Sequence, residues 1–201
     1  MRYGLYYNYE KIGDVLLIVF ESNTNPTKVV KNGDVVALYK EGRLVGINIF
    51  NFSKIMKIRS NGFITNITPE IHGIINHVLV NAGLEEIPYQ ADSGFVVGKI
   101  LDIEEHPDSE HLHILTVDTG KEKLQVVCGA ANVKENMKVV LALPYTFMPN
   151  GQQIIPSKLL GIESFGMCCS GRELNLDGFE GKRGLLELDD NFEVGQDFFN
   201  A

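Results

Sequence analysis

His106, His111 and His113 fall close together along the chain, and clustered imidazoles can bind zinc. Their spacing matches no strong metal motif, so no metal is expected. Cys128 ends an apolar run and precedes Gly129. A nucleophilic thiol needs a basic partner and an electropositive setting. The residues around Cys128 supply neither, and it reads as a small buried hydrophobe. Cys168 and Cys169 are neighbours and cannot staple the fold; one is expected inward and one outward, without a redox role. The carboxylates are dispersed, and no pair stands out for acid–base work. The sequence holds no phosphate-binding GxxxxGK[ST] loop, no GxSxG, no HExxH and no GxGxxG. Neither catalysis nor a cofactor is expected. Binding chemistry is what these residue types leave: cations, amides, hydroxyls and rings.

Two sets of elements must position them. In the first, Leu5 to Tyr9, Val15 to Phe20, Lys28 to Val30, Val35 to Tyr39 and Leu44 to Phe50 read as strands. Turns at Asn32-Gly33-Asp34 and Lys40-Glu41-Gly42-Arg43 separate the later ones. A helix follows: Thr68 caps it, Pro69 suits its first position, and Gly83 ends it. Ile71, Ile74, Ile75, Val78 and Leu79 form its single apolar stripe. His72 and His77 do not share a face of it and read as ordinary residues. This predicts a small α+β domain over residues 1–88, then a linker over 89–94. Residues 95–201 form the second set. Phe95 to Ile103, His111 to Asp118, Leu124 to Cys128, Lys138 to Leu143 and Gly184 to Leu188 read as five short strands, which fits a small all-β closed barrel. Pro144 to Asp177 reads as a long insertion between the fourth and fifth.

The formal net charge is −8, which opposes a polyanionic partner. Residues 1–91 carry nine Lys and Arg against eight Asp and Glu, and residues 92–201 carry nine against eighteen. Affinity for nucleic acid in the second half therefore needs a local basic patch. No apolar run approaches the roughly 18–20 residues that span a bilayer. The opening Met1-Arg2-Tyr3-Gly4 lacks a leader pattern. Three cysteines make no disulfide framework. A reduced, cytoplasmic setting with no membrane partner is expected.

Several short motifs then occur in a specific order. They are Val97-Gly98-Lys99-Ile100, His106-Pro107-Asp108-Ser109-Glu110-His111-Leu112, Val117-Asp118-Thr119-Gly120 and the stretch from Val126 through Cys128-Gly129-Ala130-Ala131-Asn132 to Val133. Lys158-Leu159-Leu160-Gly161-Ile162-Glu163-Ser164-Phe165-Gly166-Met167-Cys168-Cys169-Ser170 and Arg172-Glu173-Leu174 follow. This series resembles the tRNA-binding OB domain near the N-terminus of the bacterial phenylalanyl-tRNA synthetase β subunit. The same domain type occurs in methionyl-tRNA synthetases and in free-standing tRNA-binding proteins. The resemblance covers residues 92–200, and the extra first domain is similar to that of YtpR-type tRNA-binding proteins.

The resemblance implies a five-stranded OB barrel that binds tRNA by backbone and shape. Lys99, Lys158 and Arg172 are then the leading backbone contacts, against the alternative of solvated surface cations; Lys134, Lys138, Lys182 and Arg183 are secondary. His106 either fixes a strand exit beside Pro107 or meets a base. Asn132 caps a turn or reaches RNA. Ser164 bonds phosphate or backbone. Phe147 and Phe165 stack on bases or plug the barrel end. Ser170 and Glu173 have capping-box spacing and predict a short helix. The implied partners are tRNA and a synthetase or other translation protein, and nothing in the sequence excludes a homodimer. The alternative is a protein-interaction module whose acidic half docks on a basic partner without RNA affinity.

Overall fold

β-Branched and aromatic residues alternate along the first fifty positions and pair into one antiparallel sheet. The computed structural model describes residues 2–200; Met1 and Ala201, the outer ends of the expected domains, lie outside the described residues. The chain divides into two units, residues 1–91 and 92–201, each with its own core.

The first unit holds β1 (Gly4–Tyr7), β2 (Val15–Val19), β3 (Lys28–Asn32), β4 (Val35–Lys40), β5 (Arg43–Phe50) and β6 (Gly62–Phe63), in the order β3-β4-β5-β2-β1-β6. The first strand stops at Tyr7 instead of Tyr9. Asn8 caps a single helical turn, α1 (Tyr9–Ile12), its side chain accepting from the Lys11 N–H at 3.0 Å. The predicted helix is α2 (Pro69–Asn81), with the Thr68 hydroxyl accepting from the Ile71 N–H at 3.2 Å. Its Ile75 and Leu79 are fully buried in a core with Leu5, Leu16, Ile18, Ile47, Ile49 and Phe52. Each such side chain contributes on the order of 2 kcal/mol by leaving water.

Asn76 is a polar residue buried on α2. Its carboxamide accepts from the Ile87 N–H at 2.9 Å and donates to the Ile87 carbonyl at 3.0 Å. The chain then returns to β1, where the Tyr3 N–H donates to Gln90 Oε1 and the Tyr3 hydroxyl to the Pro88 carbonyl, both at 3.0 Å. Gln90, expected in the linker, is thus bound into the first unit, whereas the Ser93 N–H already donates to Asp197 of the second at 2.6 Å.

The second unit is built on the long strand β7 (Phe95–Glu105), followed by β8 (His113–Asp118), β9 (Lys123–Cys128), β10 (Lys138–Ala142), β11 (Ser157–Leu159), β12 (Ile162–Ser164), β13 (Met167–Cys168) and β14 (Glu187–Leu188). The sheet order is β13-β10-β7-β8-β9, with β14 also on β10 and β11–β12 a separate hairpin. The first part of β7 pairs with β10 and the rest with β8, across a bulge between Ile100 and Asp102. Near the C-terminus, Gln196 and Gly195 cover the remaining edge by bonding Val97 at 2.9 and 2.8 Å. Ile100, Leu115, Val117, Val126, Val139 and Leu141 fill the core and are fully buried.

The stretch 144–177, expected to be an insertion, holds β11, β12 and β13. Strand β13 pairs with β10 through Leu141↔Cys168. Just before it, Phe165 N–H donates to the Gln125 carbonyl at 2.9 Å and Ser164 Oγ accepts from the Val127 N–H at 3.1 Å. One segment therefore touches both β9 and β10. These strands were hidden in the sequence because runs of two or three residues show no alternation. Gly166 (φ +152) interrupts them, since a Cβ there would lie 2.9 Å from the Ala142 carbonyl oxygen.

Asn76→Ala leaves the buried backbone groups of Ile87 without this partner. It is expected to destabilise the first unit by about 2 kcal/mol, read as a lower urea midpoint at unchanged slope.

Candidate nucleic-acid interface

Strand β9 ends at Cys128, beside β13. Next to these ends lies a cleft of about 470 Å³. Cys128, Met167 and Leu185 are among its apolar lining, and Arg172, Lys182 and Arg183 are its cations. All three are exposed, and among the described residues none of them forms an ion pair.

Three fastenings hold this loop. The Asn132 carboxamide accepts from the Leu185 N–H at 2.8 Å and donates to the Leu185 carbonyl at 3.0 Å. Gly184 (φ +88) makes this approach feasible, because a Cβ there would sit 2.6 Å from Asn132 Oδ1. The predicted capping box is present: Ser170 N–H and Oγ donate to the Glu173 carboxylate at 2.8 and 2.6 Å, and the Glu173 N–H donates back to Ser170 Oγ at 3.2 Å. It opens a set of turns instead of a helix, ended by Asn175 in the left-handed region at φ 54. The acid beside the cations is thereby engaged by Ser170. Finally, Phe179 packs on Gly171, where a methyl group would collide with its ring. Lys182 Nζ stands 4.3 Å above that ring, a cation–π contact. Glu180 is the opposing charge. Backbone hydrogen bonds from its own N–H and that of Gly178, and then Lys182, hold its carboxyl below its ordinary value.

The three cations expected to lead are not gathered here; only Arg172 lines the cleft. Lys99 is half-buried in β7, in register with Lys138 and Asp118. Lys158 faces Glu163 across the β11–β12 hairpin at 3.8 Å. Of the secondary cations, Lys134 and Lys138 pair with Glu187 and Asp190 at 2.6 and 3.5 Å. Lys182 and Arg183 carried no sequence signal beyond their charge.

Other expected contacts are committed to the fold. His106 is buried; its Nδ1 accepts from the Asp108 N–H and its Nε2 lies against the Leu159 carbonyl, both at 3.1 Å. The ring ties the β11 end to the β7 exit and keeps no free edge for a base. Asn132 has its amide on Leu185. Ser164 is buried, with its hydroxyl on Val127 and on the Gly166 carbonyl at 3.3 Å. Phe147 is 2% exposed and cannot stack. Phe165 is half-buried. An exposed ring, Tyr145, was missed. Among the described residues no group of three His, Cys, Asp or Glu could hold a metal.

Cys128, Cys168 and Cys169 are all free and buried, so the expected outward cysteine is inward. Burial pushes each thiol up.

A family model described as "Putative tRNA binding domain" matches residues 95–197. A second, "Domain of unknown function (DUF4479)", matches residues 22–87. The Bacillus subtilis (strain 168) protein described as "Putative tRNA-binding protein YtpR" is 36% identical over 197 residues, covering 96% of this chain and 98% of its own length. The chain belongs to the YtpR family. This YtpR-family chain also matches the phenylalanine–tRNA ligase β subunit of Aromatoleum aromaticum, at 45% identity over 131 residues. That alignment covers 63% of the chain but 16% of the subunit. A solved structure, a MetRS-related protein from Pyrococcus horikoshii, is 24% identical over 50% of this chain and 84% of its own, with a TM-score of 0.38, and supports no conclusion here.

Two outcomes follow for the cleft wall. Gly184→Ala strains a left-handed position and displaces Asn132, costing about 2 kcal/mol in urea unfolding. A disulfide reagent at pH 8 reacts with no thiol of the native chain within minutes, and with all three after unfolding.

Proposed function

We propose that this chain is a non-catalytic, cytoplasmic tRNA-binding protein, with a five-stranded OB barrel as its second unit and Arg172, Lys182 and Arg183 as its main backbone contacts. The strand order supports the barrel. The strands β7, β8 and β9 meander, β10 returns to β7, and residues 163–168 run from β9 to β10. The relatives named for tRNA support the ligand. The observation that carries the reading is three cations on one cleft that form no ion pair among the described residues, in a unit where Lys134, Lys138 and Lys158 each face a carboxylate.

Phosphate oxygens take charge-assisted hydrogen bonds from such cations and release condensed counterions, so affinity falls with salt. The apolar part of the cleft lining suits a sugar or base edge, and the guanidinium groups set the register of the backbone. Lys99 and Phe165, each partly exposed, are peripheral contacts. Among the described residues no helix is long and apolar enough to cross a membrane.

A second reading is favoured by one observation: eighteen carboxylates against nine cations in residues 92–201. Such a surface suits a basic protein partner, such as a synthetase, docking without RNA.

A salt titration of tRNA binding separates them. Arg172→Gln and Arg183→Gln each lower the slope of log K against log salt by about 1, while Lys158→Ala leaves it unchanged. Binding that is flat with salt and indifferent to both arginines overturns the cleft in favour of the protein partner.

A further inference from the structure

The first unit is close to neutral, but its charge is uneven. Between Glu41 and Glu70 the sequence has no Asp or Glu and carries Arg43, Lys54, Lys57 and Arg59. Arg43 is taken by Glu21 at 2.9 Å. The other three are exposed, and among the described residues they form no ion pair.

The fold places this run beside α1. At one end Ser53 donates its N–H and hydroxyl to the Asp14 carboxylate at 2.9 and 2.6 Å, and the Tyr7 hydroxyl donates to it at 3.0 Å. At the other end Asn8 Nδ2 donates to the Asn61 carbonyl at 3.1 Å. Residues 53–61 are therefore laced along residues 7–14. A cleft of about 310 Å³ opens there, with Tyr9, Glu10, Ile58, Arg59 and Ser60 among its lining. Tyr9 is 62% exposed, an aromatic face left uncovered beside an unpaired guanidinium. Glu10 is the one carboxylate in the lining, and Lys11 follows it on α1. Asp14 is committed to Ser53 and Tyr7.

We infer that this cleft is a second RNA contact, in which Tyr9 stacks on one unpaired base and Arg59 and Lys57 take the flanking phosphates. An exposed ring with separate cations answers both parts of a nucleotide: a π-face accepts any base, and the cations track the backbone. An acidic peptide would use the cations and leave the ring unused. The inference goes beyond the proposed function by giving the first unit a contact of its own, and it rests on that reading only for the class of ligand.

The test uses the full chain, with a fluorescein-labelled twelve-nucleotide oligouridine and unfractionated tRNA as probes. Circular dichroism and urea midpoints check that each variant folds; both changes lie on exposed side chains. Tyr9→Ala and Arg59→Gln are expected to weaken oligouridine binding about 10-fold, and Arg59→Gln to lower the salt slope by about 1. Cross-linking with 4-thiouridine RNA is expected to label the peptide holding Tyr9, and still to do so in Arg172→Gln/Arg183→Gln. Wild-type binding by both first-unit variants, with labels confined to residues 92–201, overturns the inference and leaves the proposed function standing. Loss through the first-unit variants alone keeps the inference and removes the cleft of the second unit. No RNA binding by the wild-type chain, with poly-glutamate bound instead, overturns it in favour of an acidic protein.

Discussion

The Asn132 carboxamide holds the positive rim of the second unit in place. Its oxygen and nitrogen bond the N–H and carbonyl of Leu185, a residue 53 positions away. An amide side chain here does what a neighbouring strand would do, for a segment that joins β10 only at Glu187. Without this pair, the loop that carries Lys182 and Arg183 would lose its tie to the segment after β9. Fixing each residue of such a loop on binding costs about 1–2 kcal/mol. Bonds already made in the free protein remove that cost from the encounter with ligand. The Ser170–Glu173 exchange and the Phe179–Gly171 contact fasten the rest of the loop.

Charge is the second constraint. On the proposed reading a polyanion meets three rim cations, with Glu173 in the same lining and Glu180 beside Lys182 as the local opposing charges. The Debye length is about 8 Å at physiological ionic strength. Contacts at the rim act within that distance, while carboxylates on distant surfaces are screened. Pairing Lys134, Lys138 and Lys158 to carboxylates leaves the cleft as a place where cations that form no ion pair among the described residues gather.

Much of the fold could be read from the sequence. Helix α2 was legible because Thr68, Pro69 and the isoleucine stripe agree over thirteen residues. The long strands were legible through alternation. Strands β12 and β13 were not, at three and two residues with Gly166 beside them. The capping box was visible in Ser170 and Glu173, but the left-handed Asn175 that ends it was not. At the site, Arg172 was found by its motif. Lys182 and Arg183 were named only as secondary cations, on charge alone, since their place beside Arg172 depends on the distant Asn132. For His106, Ser164 and Phe147 the sequence left a structural and an RNA-contacting role open, and the structure fills the structural one: residue type reveals what a side chain can bond, not whether its own fold has already taken that capacity. The ordered motifs that carry the family resemblance include His106, Asn132 and Ser164, and the structure uses all three to fasten loops.

The proposed seat of the RNA is the Arg172, Lys182 and Arg183 cleft. Hydrogen–deuterium exchange of the full chain with and without saturating tRNA tests it most directly. Slowed exchange over residues 128–132 and 170–185 is the predicted result. Protection confined to the β11–β12 hairpin around Lys158, or to β7 around Lys99, with residues 170–185 unchanged, would contradict it.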